Sequence, residues 1–329
     1  MKTIGILGAG AWGTALAMAA HRAGLQVTLQ AFEADVADDI NTHHENSTYL
    51  PGAKLDPSIV ATVSIEQAVQ ADAVILVSPA QFLRQTCEAA KAHWVQGTPA
   101  IICAKGIEQG SYKLLSEVVE ESLGDLAPRA ILSGPTFAIE VAHERPTALT
   151  LACTDEALGQ RLSKALSSRC FRTYYSADVI GAQLGGAVKN VMAIACGIIE
   201  GRGMGDNARA ALITRGLAEI SRMGAVLGAD EHTLMGLSGL GDLSLTCSAM
   251  QSRNFSLGVA LGQGQSLASI LQERKSVTEG VYTAAAVTEL ARRLQVDMPI
   301  CLAVDAILNL GADLDSIIDG LLRRPLNVE

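Results

Sequence analysis

Aromatic side chains are scarce in this chain: two tryptophans, five tyrosines and five phenylalanines among 329 residues. Positive charge is outnumbered too, with 25 lysines and arginines against 34 aspartates and glutamates, for a formal net charge of −9. A non-specific nucleic-acid binder needs a basic footprint and stacking rings, and neither is present. Charged residues make up 18% and hydrophobic ones 49%, so the chain can bury a sizeable core and is not a disordered one. Cysteine is dispersed: positions 87, 103, 153, 170, 196, 247 and 301 are never closer than sixteen apart. That spacing excludes CxxC metal or redox patterns and reads as reduced core thiols, so no metal is expected. Apart from the amino-terminal segment, no stretch runs about eighteen apolar residues unbroken. The apolar run after Met1-Lys2 is interrupted by Gly5, Gly8, Gly10 and Gly13, a density that a secretory or membrane helix tolerates poorly. The expectation is a cytoplasmic protein without leader or membrane span.

The remaining pattern has two regimes. Up to about residue 175, short β-rich runs (3–7, 26–31, 73–78, 100–104, 130–133, 147–152 and 171–174) alternate with amphipathic stretches at 65–70, 82–93, 112–123 and 156–167. Such alternation predicts an α/β fold, a Rossmann-like doubly wound, mostly parallel sheet. From about 178 the β pattern fades and helical windows at 178–199, 207–227, 255–263, 283–294 and 301–310 take over. The expected division is a dinucleotide-binding domain over 1–180 and an all-helical substrate domain over 181–329.

The strongest motif is Gly8-Ala9-Gly10-Ala11-Trp12-Gly13, a GxGxxG between a predicted strand and an apolar helix, with Gly24 ending that helix and a second strand following. Gly8 allows the tight turn, Gly10 lets backbone N–H groups approach a pyrophosphate, and Gly13 permits close helix–strand packing. The end of the second strand reads Gln30-Ala31-Phe32-Glu33. No Arg or Lys is there to accept a 2′-phosphate, and Glu33 is either a ribose ligand or a helix-start acid.

Ligands of doubly wound sheets bind just past the carboxyl ends of strands. Lys105-Gly106 and Ser133-Gly134-Pro135-Thr136 fall there. Lys105 could be a ligand or an ordinary exposed lysine, and Thr136 reads as a helix N-cap. Lys189 is the only charged side chain from Val179 to Ile199, on a helix apolar nearly all round and therefore buried. A buried ammonium needs a partner or a polar cavity. The small neighbours Gly185, Ala193 and Cys196 are read as room for such a cavity. Desolvation lowers a lysine's pKa toward the range of a neutral-pH acid–base group, and a purely structural ion pair is the alternative. Asp242, expected in a glycine turn over Ser238-Gly239-Leu240-Gly241-Asp242-Leu243, is the candidate partner. Ser252, Arg253 and Asn254 before a helix expected from Phe255 make a candidate phosphate cradle.

These motifs together resemble bacterial-type NAD(P)-dependent glycerol-3-phosphate dehydrogenase. The resemblance rests on GxGxWGTA at 8–15, Asn46…Tyr49-Leu50-Pro51-Gly52, Lys105-Gly106-Ile107, Ser133-Gly134-Pro135-Thr136-Phe137-Ala138 and Lys189-Asn190. Further matches are Gly205-Asp206-Asn207-Ala208, Gly239-Leu240-Gly241-Asp242-Leu243, Thr246-Cys247, Ser252-Arg253-Asn254 and Val277-Thr278-Glu279-Gly280. It implies an enzyme that interconverts glycerone phosphate and sn-glycerol 3-phosphate with NAD(P)H, supplies the phospholipid backbone and forms a homodimer. It implies Lys189 as the proton donor and acceptor. Lys105, Gly134, Thr136, Asp242, Ser252, Arg253 and Asn254 match substrate positions. Ala11, Trp12, Lys105, Ala138, Arg253, Val277 and Glu279 match cofactor positions. Phe32 departs from the Arg or His usual after the second strand, so NADP preference does not carry over. A ketopantoate- or hydroxyacid-type reductase would share the GxGxxG and a helical-domain lysine but prefer a carboxylate, against the Ser252-Arg253-Asn254 cradle. A non-catalytic dinucleotide sensor would not need both Lys189 and Asp242.

Overall fold

The computed structural model describes residues 1–273 and 278–324. Its main sheet has eight strands: β1 (Thr3–Leu7), β2 (Gln26–Gln30), then, after the hairpin strands β3 (Glu45–Asn46) and β4 (Leu50–Lys54), β5 (Val60–Thr62), β6 (Val74–Leu76), β7 (Ala100–Ile102), β8 (Arg129–Ser133), β9 (Thr147–Ala152) and β10 (Phe171–Ser176). The order is β10-β9-β8-β7-β6-β1-β2-β5. Every neighbouring pair is parallel except β8 with β9. The central strands β6 and β7 are buried throughout, as expected where helices cover both faces of a parallel sheet. The strand order reverses between β1 and β6, which places a ligand crevice beyond their carboxyl ends.

The seven expected strands form, with bounds that differ by up to three residues: β2, β6 and β7 are shorter than expected, β8 and β10 longer. The expectation missed β3, β4 and β5, and the Ala34–His43 helix. β4 carries Pro51 and Gly52, residues that mark turns rather than strands, and it pairs only in the two-stranded hairpin.

Among the described residues no strand follows Ser176. The helix Val179–Gly201 starts three residues later, its first turn capped by Asp178, whose carboxylate accepts from the Gly181 N–H at 2.8 Å. Eighteen of its 23 residues are buried. It is long and apolar enough to cross a membrane, yet 94% of its most apolar window lies inside the fold. Its closest neighbour is the helix Arg253–Gly262, and the two backbones touch at glycines. A Cβ on Gly197 would stand 2.1 Å from the Phe255 carbonyl, and one on Gly258 2.1 Å from that of Ile194. All seven cysteines are free, six of them buried.

Candidate active site

The glycine turn opens directly from β1. Gly8 has φ +117 and its N–H donates to the Gln30 carbonyl at 3.1 Å, so the turn is tied to the end of β2. A Cβ on Gly13 would lie 1.9 Å from the Gly8 carbonyl oxygen, so only glycine lets the Ala11–Arg22 helix sit this close to the turn. Gly10 is the N-cap with no side-chain cap, and a Cβ there would meet nothing within 4 Å. The helix therefore presents its N-terminus to open space. The Trp12 indole N–H is buried with no hydrogen-bond partner among the described residues.

At the end of β2, Phe32 is 90% exposed. Glu33 is the residue before the Ala34–His43 helix but makes no side-chain cap; its carboxylate instead accepts from the Tyr49 hydroxyl at 2.9 Å. That bond pushes the Tyr49 pKa up.

Lys189 is 6% exposed and Asp242 fully buried. The Lys189 ammonium donates to Asp242 Oδ1 and, at 2.9 Å, to the Thr246 hydroxyl. The other carboxylate oxygen accepts from Lys105 at 2.6 Å, and Lys105 also donates to the Gly134 carbonyl at 3.3 Å. One carboxylate thus bridges two lysines that come from different halves of the chain. Burial pulls the Lys189 pKa down to about 8; Asp242 opposes that and the Lys105 charge adds to it.

Three local expectations need correction. Asp242 is not in a glycine turn: a π-helical turn, Leu237–Gly241, leads into the short helix Asp242–Thr246 that Asp242 begins. The glycine beside Lys189 does not line a cavity. A Cβ on Gly185 would stand 2.4 Å from the Ser238 carbonyl oxygen, so this position is small to admit the backbone that carries Asp242. Thr136 is not the helix cap; Phe137 precedes the Ala138–Ala142 helix, and the Thr136 hydroxyl donates to the Gly134 carbonyl at 3.3 Å.

The Arg253–Gly262 helix starts two residues before the expected Phe255. Ser252 caps it by accepting from the Phe255 N–H at 3.1 Å. Arg253 is exposed at its first turn, while buried Asn254 accepts the Gly280 N–H at 3.1 Å. The helix Glu279–Leu294 thereby begins against the Asn254 side chain. Glu279 accepts the Ala80 N–H at 3.1 Å, so it ties this helix to the loop after β6. Burial raises its pKa, against the opposing charges of Arg253, Lys105 and Lys189. Val277 lies outside the described residues. Among the described residues no cluster of three or more His, Cys, Asp or Glu is arranged to hold a metal.

Family models for the N-terminus and the C-terminus of NAD-dependent glycerol-3-phosphate dehydrogenase match residues 3–159 and 178–319. The chain belongs to that dehydrogenase family. A Rhodospirillum rubrum glycerol-3-phosphate dehydrogenase [NAD(P)+] is 58% identical over 99% of this chain and 93% of its own length. One from Maricaulis maris is 53% identical over 100% of this chain and 98% of its own. The crystal structure of the Coxiella burnetii glycerol-3-phosphate dehydrogenase superposes with a TM-score of 0.94 at 38% identity, covering 98% of this chain and 99% of the other.

The residues present fit the dinucleotide of a glycerol-3-phosphate dehydrogenase. The uncapped helix N-terminus at Gly10 offers N–H groups and the positive end of a dipole to a pyrophosphate. The orphaned Trp12 indole N–H offers a further donor at the same turn. One site group carried no assigned role in the sequence, the Thr246 hydroxyl; Gly134, expected as a substrate position, turns its carbonyl to Lys105. Thr246 stands four residues after Asp242, one turn along the same short helix. That spacing is a signal the sequence does contain.

Proposed function

We propose that this chain interconverts glycerone phosphate and sn-glycerol 3-phosphate, with Lys189 giving and taking the proton. When bound, the reduced nicotinamide supplies a hydride equivalent, so the ketone oxygen acquires charge and needs a proton. The observation that carries the reading is the buried Lys189–Asp242 pair. An ammonium has three hydrogens; Lys189 commits two, to Asp242 and Thr246, which leaves one for a substrate oxygen. With its pKa near 8, both protonation states are accessible around neutral pH, as a reversible acid–base group requires. Asp242 aims the ammonium and keeps it charged.

Lys105 has a third hydrogen free of Asp242 and Gly134, and it adds positive charge beside the reacting oxygen. Arg253 and the amide group of Asn254, at the start of a helix capped by Ser252, supply the phosphate site. Gly134 and Thr136 complete the substrate contacts. The turn Gly8–Gly13 with Ala11 and Trp12 holds the dinucleotide, together with Ala138, Val277 and Glu279. Phe32 at the β2 end leaves NADH acceptable. The division near residue 180 separates the nucleotide-binding part from the helical part. A cytoplasmic homodimer serving phospholipid synthesis completes the proposal, on the resemblance alone.

Loss of NADH absorbance on adding glycerone phosphate, with no loss on adding ketopantoate, is the expected result. Oxidation of NADH only with the 2-oxo acid, or with neither, would overturn the reading.

A further inference from the structure

The hairpin β3–β4 makes no bond in the main sheet, yet its first strand delivers one of the most buried polar side chains in the nucleotide-binding half. Asn46 is 1% exposed. Its amide nitrogen donates both hydrogens, one to the Ala9 carbonyl and one to the Thr14 hydroxyl, each at 2.8 Å. Its amide oxygen accepts the Tyr49 N–H at 3.0 Å. Thr14 is fully buried and sits in the first turn of the Ala11–Arg22 helix. Ala9 lies between the two glycines of the turn.

A trans peptide unit is planar, and its C=O and N–H point in opposite directions. The Ala9 carbonyl and the Gly10 N–H belong to one such unit. By holding that carbonyl inward, Asn46 turns the Gly10 N–H outward, where a Cβ on Gly10 would meet nothing within 4 Å. No protein acceptor among the described residues takes that N–H. We infer that Asn46 is a positioning residue for cofactor binding: it fixes the orientation of the phosphate-binding turn from outside the GxGxxG segment.

The bond from Asn46 to Thr14 ties the same side chain to the helix that follows, so turn and helix N-terminus move as a unit. A turn free to rotate about the Ala9–Gly10 peptide would have to be ordered each time a pyrophosphate bound, at a cost in affinity. The consequence is specific to the dinucleotide. The Lys189–Asp242 pair meets Lys105 and Gly134, past β7 and β8, and makes no bond to this carbonyl.

The inference rests on the dinucleotide reading of the turn, and NADH binding to the unaltered chain, followed by fluorescence titration, tests that reading separately. If the unaltered chain does not bind NADH, the reading itself falls. If it binds, Asn46→Ala should weaken NADH 10- to 100-fold, with kcat at saturating cofactor and KM for glycerone phosphate within about threefold of the unaltered protein. Asn46→Ser is measured alongside, because its hydroxyl leaves a polar group at this buried position and lowers the risk of misfolding, while it is too short to replace both donated bonds of the amide. Thr14→Val is the comparison: its hydroxyl reaches the Ala9 carbonyl only at 3.5 Å, so the variant removes that long contact and the helix-side bond of Asn46 but leaves the 2.8 Å bond from Asn46 to the carbonyl. NADH affinity should therefore fall clearly less than in Asn46→Ala even if the melting temperature drops. Asn46 variants that fold and bind NADH like the unaltered protein would overturn the inference. So would a Thr14→Val effect on affinity as large as that of Asn46→Ala, since the 2.8 Å bond from Asn46 to the carbonyl, which that variant keeps, would then not be what fixes the turn.

Discussion

Asp242→Asn isolates the charge that two lysines share. The amide keeps the shape of the carboxylate, while Lys189 on one oxygen and Lys105 at 2.6 Å on the other lose their counter-ion. Breaking a buried ion pair by removing one partner costs about 3–5 kcal/mol. Part of that cost is avoided if Lys189 sheds its proton, because a neutral amine needs no counter-ion. If about 2–3 kcal/mol reaches the protonation equilibrium, the Lys189 midpoint falls by about two pH units at ~1.36 kcal/mol per unit. It starts from about 8. At about pH 7.5 the protonated fraction then drops from roughly three-quarters to a few per cent, so kcat for ketone reduction falls about 20- to 30-fold. The sign matters: the reduction needs the protonated lysine, so activity is lost as pH rises through the midpoint and must return as pH is lowered. The assay is the pH profile of kcat in both proteins, from about pH 5.5 to 9, a span chosen to bracket both midpoints. A variant whose kcat is lowered by one constant factor at every pH, or is unchanged, would refute the electrostatic role of Asp242.

Arg253→Ala should lower kcat/KM for glycerone phosphate by roughly 30- to 1000-fold, the equivalent of about 2–4 kcal/mol for a lost charge-assisted phosphate contact; unchanged steady-state kinetics would displace the phosphate site from this helix end. Phe32→Arg should shift the kcat/KM ratio toward NADPH, because a guanidinium at the open β2 end can pair with a 2′-phosphate. If the unaltered protein already rejects NADH by more than about a thousandfold, equivalent to ~4 kcal/mol, another basic residue grips the phosphate and Phe32 is not the determinant.

The strands that were legible from apolar runs alone are those buried on both faces. Val74–Leu76 and Ala100–Ile102 are short apolar runs that no water-exposed element would carry. β5 was not, because its three residues include a half-exposed Val60 and lie at the sheet edge. β4 was hidden by its Pro51-Gly52. Lys189 was legible as an isolated charge on an apolar helix, and Asp242 as a partner, because burial of a charge is a one-dimensional signal once the helix is recognised. The bridge to Lys105 was not legible, since it joins residues 137 positions apart through the docking of the helical half on the sheet. Gly185 was misread for a related reason: a small residue on a buried helix is equally compatible with a cavity and with a close-packed backbone, and only the path of residues 237–241 decides. Asn46 carries no chemistry of its own in the sequence, because its key partner is a backbone carbonyl 37 positions upstream.

The central claim is that Lys189 supplies the proton, and the kcat of Lys189→Met with glycerone phosphate tests it most directly. Methionine keeps a similar length and an apolar stem, removes the ammonium, and leaves the glycine turn untouched. A positioned proton donor contributes about 10²- to 10⁴-fold to rate, so kcat should fall by that factor while NADH affinity stays within about threefold. A methionine variant that folds, binds NADH and reduces glycerone phosphate at near-native kcat would show that the proton comes from another group and that the Lys189–Asp242 pair is structural.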